Sequence, residues 1–201
     1  FRHFVALLAA LTGQEINYSQ LGREITSHRD TAERWLDMVR ATYLWRDIPP
    51  FSGNTIKRVT SKSKGYFVDT GLACFLLRIV DPLQLLGHPM HGALFETYVS
   101  NMIFSVLNTL SFKPGMYHWR TGGGAEVDLV LEKGNALYPI EFKAASSLTK
   151  HDARGIKAFR ETYAESAYTI MPGLIVYAGQ DCYWLDHDVL AVPWNAMLKK
   201  N

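Results

Sequence analysis

Three residues in two neighbouring apolar runs have the types and spacing to do chemistry. Asp128 lies in AEVDLVLE (125–132), and Glu141 and Lys143 lie in LYPIEFKA (137–144). Both runs alternate as strands do. In the first, Val127, Leu129 and Leu131 share one face, while Glu126, Asp128, Val130 and Glu132 share the other. In the second, Tyr138, Ile140 and Phe142 stand opposite Glu141 and Lys143. The intervening Lys-Gly-Asn, with Gly134, suits a tight hairpin turn. Paired that way, the strands bring Asp128, Glu141 and Lys143 to a common face.

Two carboxylates held a few ångströms apart repel unless a proton or a cation lies between them. Hard oxygen donors favour Mg2+ or Mn2+ over Zn2+. A metal held there can polarise a phosphoryl oxygen and lower the pKa of a bound water. The neighbouring ammonium of Lys143 can orient that water or stabilise developing charge. Glu96, on an upstream helix, is placed to add a third carboxylate. The set suits phosphodiester cleavage, although Glu141 and Lys143 can equally be salt-bridge partners on an exposed sheet face.

The elements that must position these groups follow from periodicity. FRHFVALLAALTG predicts a helix closed by Gly13, with Phe4, Val5, Leu7, Leu8 and Leu11 inward. NYSQLGREI predicts a second helix capped by Asn17 or Ser19. TSHRDTAERWLDMVRATYLW predicts a third, with a Ser27–Asp30 capping box and an apolar face of Trp35, Leu36, Val39 and Tyr43. LWRDIPPF and IKRVTSKSKGYFV then form a hairpin. Three helices and a hairpin are the order of a winged helix. Its recognition helix would expose His28, Arg29 and Arg34, and its wing would carry Lys57, Arg58, Lys62 and Lys64. Glu33 and Asp37 on the same helix weaken a phosphate-binding role, and the cations can also be solvated surface charges.

Residues 67–89 read as an apolar helical connector capped by Asp69 or Thr70. HGALFETYVSNMIFSVLNTL predicts a strong helix with Leu94, Tyr98, Met102, Ser105 and Val106 along one side. Strands at MYHWRT, AEVDLVLE and LYPIEFKA, a helix at TKHDARGIKAFRETY, further strands at YTIMPGLIVYAG and DCYWLDH, and a terminal helix from about Trp194 complete the chain. The fold class expected is mixed α/β (α+β): a winged helix over residues 1–66, then a second domain over 67–201 that includes the connector. Arg120 ends a strand, placed for a phosphate contact or a salt bridge with Glu126. Trp119 and Tyr117 alternate with it as core. Lys150, Arg154 and Lys157 recur at helical spacing, as a groove flank or a solvated face. His118 and His151 have no partner pattern.

Bulk composition sets limits. The 201 residues carry a net charge of +2, so no global basic field points to nucleic acid, and any such site is a local patch. Hydrophobic residues at 48% permit a real core. The two cysteines are too few and too far apart for a disulfide framework or a zinc cluster, which favours a reducing cytoplasm. The longest apolar run, GLACFLL, is far short of the roughly 20 residues that span a bilayer, so no membrane partner is expected. The chain opens at Phe1 without Met and reads as a piece of something longer.

Asp128, Glu141-x-Lys143 and Glu96 resemble the PD-(D/E)xK nuclease superfamily. By that resemblance Asp128, Glu141 and Glu96 would bind Mg2+ or Mn2+, and Lys143 would be the catalytic lysine. The resemblance implies a restriction-endonuclease-like mixed sheet flanked by helices. Val127 stands where the motif name has proline. More broadly, KGYFVDTGLACFLL, GALFETYV, YHWRTGGGAEVDLVLE and YPIEFKA, in order and spacing, resemble the C-terminal half of a prokaryotic family of AAA-type ATPases. That half is a domain of unknown function that follows an ATPase domain and a winged helix. It implies DNA and the ATPase domain as partners, ATP bound only through an upstream P-loop, and oligomers formed through the ATPase. No G-x-x-x-x-G-K-[ST] occurs in this chain, and TGGGAE reads as a hairpin turn. The expected function is a Mg-dependent nuclease-like domain acting on DNA phosphodiester bonds. The alternative is an inactive nuclease fold kept as a nucleic-acid-binding or protein-docking module of the ATPase.

Overall fold

A computed structural model describes residues 1–198, leaving aside the side chains of Thr55, Lys57, Thr60, Met197 and Leu198. The chain divides into two units, Phe1–Ile48 with Thr60–Asn101, and Pro49–Val59 with Met102–Asn201. The architecture is mixed α/β, with helices flanking a multistranded mixed sheet.

In the first unit, α1 (Arg2–Ala10) buries Phe4, Leu8 and Ala9. After it Gly13 takes a positive φ of 77°, a conformation glycine adopts without strain, and turns the chain into β1 (Gln14–Glu15). Asn17 caps α2 (Tyr18–Glu24), its side chain accepting from the Gln20 amide at 3.2 Å. The third helix, α3 (Arg29–Ala41), starts at His28 with no side-chain cap, so the expected Ser27–Asp30 capping box does not form. The Ser27 amide instead donates to Gly22 O at 2.9 Å, closing the turn between α2 and α3. α3 buries Ala32, Leu36 and Val39, and Trp35 packs edge-on against Phe1 and Phe4. Tyr43, expected on that apolar face, is 84% exposed, because its φ of 59° turns the chain out of the helix.

β2 (Trp45–Ile48) and β3 (Lys64–Phe67) pair antiparallel, and β1 adds to the other edge of β3, giving the order β1-β3-β2. The sheet packs close to the point of excluding any side chain at Gly65, where a Cβ would lie 2.0 Å from the Trp45 ring. The expected simple hairpin is interrupted. Pro49–Val59 belongs to the second unit, and α4 (Thr55–Thr60) forms in the connection. The reason is Phe51, which is buried in the second unit's aromatic cluster of Tyr117, Trp119, Phe159, Tyr163 and Tyr168.

The expected single helix over 67–89 is two short ones. Asp69 caps α5 (Thr70–Leu76), and Asp81 caps α6 (Pro82–Leu86). A φ of 61° at Arg78 and the proline at the start of α6 separate them. Both fall in the first unit, because Leu72, Cys74, Leu76, Leu77 and Leu85 pack on its core. The division of the chain therefore lies well beyond residue 66 and falls within α7 (His91–Leu107). Leu94, Val99 and Ile103 are the buried apolar residues of α7, with Thr97 and Ser100, whereas Tyr98 and Val106 of the expected stripe are exposed.

The second unit is built on a sheet of order β4-β5-β6-β8-β10-β9, with β7 pairing β6. β4 (Gly115–Arg120), β5 (Glu126–Lys133) and β6 (Ala136–Lys143) form an antiparallel meander. Gly134, with φ 59°, opens the two-residue turn between β5 and β6. A 3-10 turn (Lys150–Ala153) leads into α8 (Arg154–Thr162). β7 (Thr169–Ile170) and β8 (Gly173–Tyr177) then return parallel to β6. β9 (Tyr183–Asp186) and β10 (Val189–Pro193) follow, β10 parallel to β8 and antiparallel to β9. The chain closes in a 3-10 turn, Trp194–Leu198. Among the described residues, no helix is long and apolar enough to cross a membrane.

Replacing Gly65 by Ala forces a methyl group into the Trp45 ring. The change is expected to destabilise the first unit by about 1–3 kcal/mol, the usual cost of overpacking, read as a lowered urea midpoint.

Candidate active site

β5 and β6 stay in register through the pair Leu129–Ile140. Beyond it, a side chain takes over from the backbone ladder. The Phe142 amide donates to Asp128 Oδ2 at 3.0 Å, in a buried setting. From Ile140 onward β6 pairs with β8 on its other side, Glu141 standing beside Ile175 and Lys143 beside Tyr177. Asp128 and Glu141 are both buried, and they are next to one another where β5 and β6 part.

The electrostatics follow from that placement. Burial pushes the Glu141 carboxyl well above the usual carboxylate range, and the nearby Asp128 charge pushes it further. Lys143 acts in the opposite direction, its Nζ lying 3.4 Å from Glu141 Oε2. Burial alone would lower the Lys143 pKa. The charges of Glu141, Asp128 and Asp152 outweigh it, so Lys143 stays a cation with a raised pKa. Asp152 is fixed in a capping box with Thr149, whose amide and hydroxyl both donate to its Oδ2.

The helix α8 crosses this pair at Gly155. A Cβ there would lie 1.9 Å from Glu126 O and 2.2 Å from Glu141 Oε1. Sequence reading passed over Gly155. The signal was present, because a glycine inside an amphipathic helix costs about 1 kcal/mol relative to Ala and is retained for a packing reason.

The other expected site residues divide into three groups. Glu96 stands in the first unit, where Tyr66 Oη donates to its Oε1 at 2.6 Å and Lys64 Nζ lies 2.5 Å from the same oxygen. Among the described residues, no third Asp, Glu, His or Cys joins Asp128 and Glu141 into a metal-binding group. Lys64 is thus a buried ion-pair partner, not an exposed wing cation. Arg58 is engaged within the second unit by Glu132 at 2.9 and 3.2 Å, Tyr168 Oη at 2.9 Å and Ser52 O at 2.5 Å. Its guanidinium lies over the Phe51 ring at 4.4 Å. Burial pulls the Arg58 pKa down, but the hydrogen bonds and charge of Glu132 leave it raised.

Arg29, Arg34, Lys62 and Lys150 are exposed. Arg120 is half-exposed and sits 3.9 Å from Glu126, the strand-end pair weighed in the sequence. The side chain of Lys57 lies outside the described residues. His118 is buried, its backbone paired with Pro49 and Phe51, and Trp119 lies in the core. Lys157 is engaged by Asp186 at 2.5 Å.

Two adjacent buried carboxylates, with the proton affinity of Glu141 raised, are oxygen donors of the kind that hard divalent cations take. Mg2+ characteristically keeps several waters and binds through one or two protein carboxylates, so a pair is a sufficient number of candidate protein ligands.

Comparison with known proteins gives two family matches. Residues 91–197, more than half the chain, match the profile of a domain of unknown function (DUF4143), and residues 1–83 match that of a second (DUF8612). Two curated relatives are uncharacterized proteins of Mycobacterium bovis (strain ATCC BAA-935 / AF2122/97) and Mycobacterium tuberculosis (strain ATCC 25618 / H37Rv). Each is 32% identical over 192 residues, which is 96% of this chain and 41% of the relative. The chain therefore spans well under half the length of the curated relatives it matches. No solved structure matches the chain.

The raised Glu141 pKa fixes the sign of a pH effect. Between the unfolded carboxyl value and the raised folded value, the native state binds more protons than the unfolded one, so stability falls as pH rises. Urea midpoints measured from pH 4.5 to 8 should fall less steeply in Glu141→Gln than in the wild type. At pH 8 the variant should be the more stable of the two.

Proposed function

We propose, from the premise that the chain belongs to the DUF4143 family, that its second unit is a Mg2+- or Mn2+-dependent nuclease-like domain acting on DNA phosphodiester bonds. The observation that carries this reading is the buried Asp128–Glu141 pair with Lys143 at 3.4 Å from Glu141. Two acids are placed together at a desolvation cost that a purely structural ion pair does not require, since one acid would suffice for one lysine. A mixed sheet flanked by helices is also the arrangement that the PD-(D/E)xK resemblance implies.

In this mechanism Asp128 and Glu141 would hold the divalent ion. The ion, when bound, supplies a water of lowered pKa and a Lewis acid for a phosphoryl oxygen. The chain's own residues do the rest. The Phe142 amide fixes Asp128 by its Oδ2, leaving the carboxylate little freedom to rotate. The Lys143 side chain is two-thirds buried, keeps its charge, and presents an ammonium at the edge of the pair, where it can stabilise a developing oxyanion or orient a water.

The first unit supports a winged-helix reading, with α1, β1, α2, α3, β2 and β3 in that order and the sheet β1-β3-β2. His28, Arg29 and Arg34 are exposed at the start of α3, as a DNA-docking helix needs. The longer relatives and the resemblance to AAA-type ATPases together suggest a cytoplasmic protein in which an ATPase domain accompanies these units. A second reading has its own observation. Among the described residues no third metal-ligating side chain joins Asp128 and Glu141, and Arg58 and Lys64, expected to face phosphate, are engaged internally. A catalytically inactive fold kept for DNA or protein docking would have these features.

Isothermal titration of Mn2+ and Mg2+, alongside cleavage assays on single- and double-stranded DNA, separates the two. Asp128→Ala should abolish metal binding and cleavage together. Lys143→Ala should retain metal and lose at least about 100-fold in cleavage rate. Metal-independent DNA binding with no cleavage in the wild type would favour the docking reading.

A further inference from the structure

We infer that Gly155 is a positioning residue for the Glu141 carboxylate. It forms a notch in α8 that fixes which oxygen of Glu141 faces the helix and which faces Lys143. The inference rests on the nuclease reading only for what that carboxylate is positioned to bind.

The geometry is specific. Glu141 Oε1 occupies the space where a Cβ of residue 155 would stand, 2.2 Å from the ideal Cβ position. Glu141 Oε2 is the atom that meets Lys143 Nζ, at 3.4 Å. The two oxygens therefore have different neighbours. Glu126 O lies 1.9 Å from the same ideal Cβ position, so Gly155 also sets how closely α8 approaches β5, the strand that carries Asp128. One missing side chain thus lets a single helix pack against both strands of the acidic pair. Any larger residue would displace Glu141, lift α8 from β5, or do both, and would admit water to a pair that is now buried.

Simple helix packing would predict the Glu126 contact without the Glu141 one. A double-mutant cycle distinguishes them, because the Glu126 O clash is present in both backgrounds and cancels. Urea midpoints would be measured for the full chain as wild type, Gly155→Ala, Glu141→Ala and the double variant. If Gly155 positions Glu141, the midpoint loss caused by Gly155→Ala should shrink once Glu141 is Ala, the Glu126 O contact accounting for the part that remains. Equal losses in the two backgrounds would overturn the inference. Should Gly155→Ala fail to fold alone, recovery of folding in the double variant would support the inference, and failure of both would place the cost at Glu126 O and overturn it.

Mn2+ titration supplies a readout that packing alone would not move. Folded Gly155→Ala should bind Mn2+ at least tenfold more weakly than the wild type. Unchanged affinity in the variant would count against positioning. Absence of Mn2+ binding in the wild type, with the stability coupling intact, would sink the metal reading and leave the positioning of Glu141 standing.

Discussion

Burying two carboxylates side by side is the constraint on which the second unit turns. Asp128 and Glu141 are both almost fully removed from water, and burial together with the Asp128 charge raises the proton affinity of Glu141. Left alone, such a pair would open the sheet or hold a proton between its members. The fold offsets the cost with an amide, a cation and a cavity-free contact. Phe142 N–H answers Asp128, Lys143 answers Glu141, and the bare Cα of Gly155 closes the space above. None of these neutralises both charges.

The surrounding elements serve that arrangement. The β5–β6 ladder ends at Leu129–Ile140, and the strands part there because β6 goes on to pair with β8. Parting frees the Phe142 amide for a side chain and makes room for Asp128 inside the sheet. α8 is held on the other side by Ile156 and Phe159, both fully buried, and the Thr149–Asp152 capping box fixes the turn that leads into it. Asp152 thus has two effects. It starts a helical segment, and its charge helps keep Lys143 protonated. A helix glycine is unfavourable by about 1 kcal/mol on propensity alone, and here the contact it permits is the compensation.

Cations show a parallel economy. The chain carries only a small net positive charge, and several of its cations work internally. Lys64 holds Glu96 and Arg58 holds Glu132, each within one unit. Arg40 ties α3 to β2 through Asp47 at 2.6 Å. Other cations are exposed and spread along the chain, among them Arg29 and Arg34 on α3, Lys62, Arg78, Lys113, Lys133 and Lys150.

The sequence by itself determined the pairing of Asp128 with Glu141 and Lys143. Strand alternation has a period of two, and a glycine-centred turn between two apolar runs leaves little choice of register. It also determined the mixed α/β class and the buried Trp119, and narrowed two caps to the pairs Asn17 or Ser19 and Asp69 or Thr70, of which the structure uses Asn17 and Asp69. Tertiary structure alone decided the fate of Glu96, Lys64 and Arg58, because a charge's partner can lie anywhere in the chain and periodicity does not record it. It also decided that residues 49–59 pack in the second unit, drawn there by Phe51, and that 67–89 breaks into two helices packed on the first. Gly155 belongs to this second class. A glycine within an amphipathic helix signals a close contact, but the atoms it meets, Glu126 O and Glu141 Oε1 on β5 and β6, are set only by the tertiary structure.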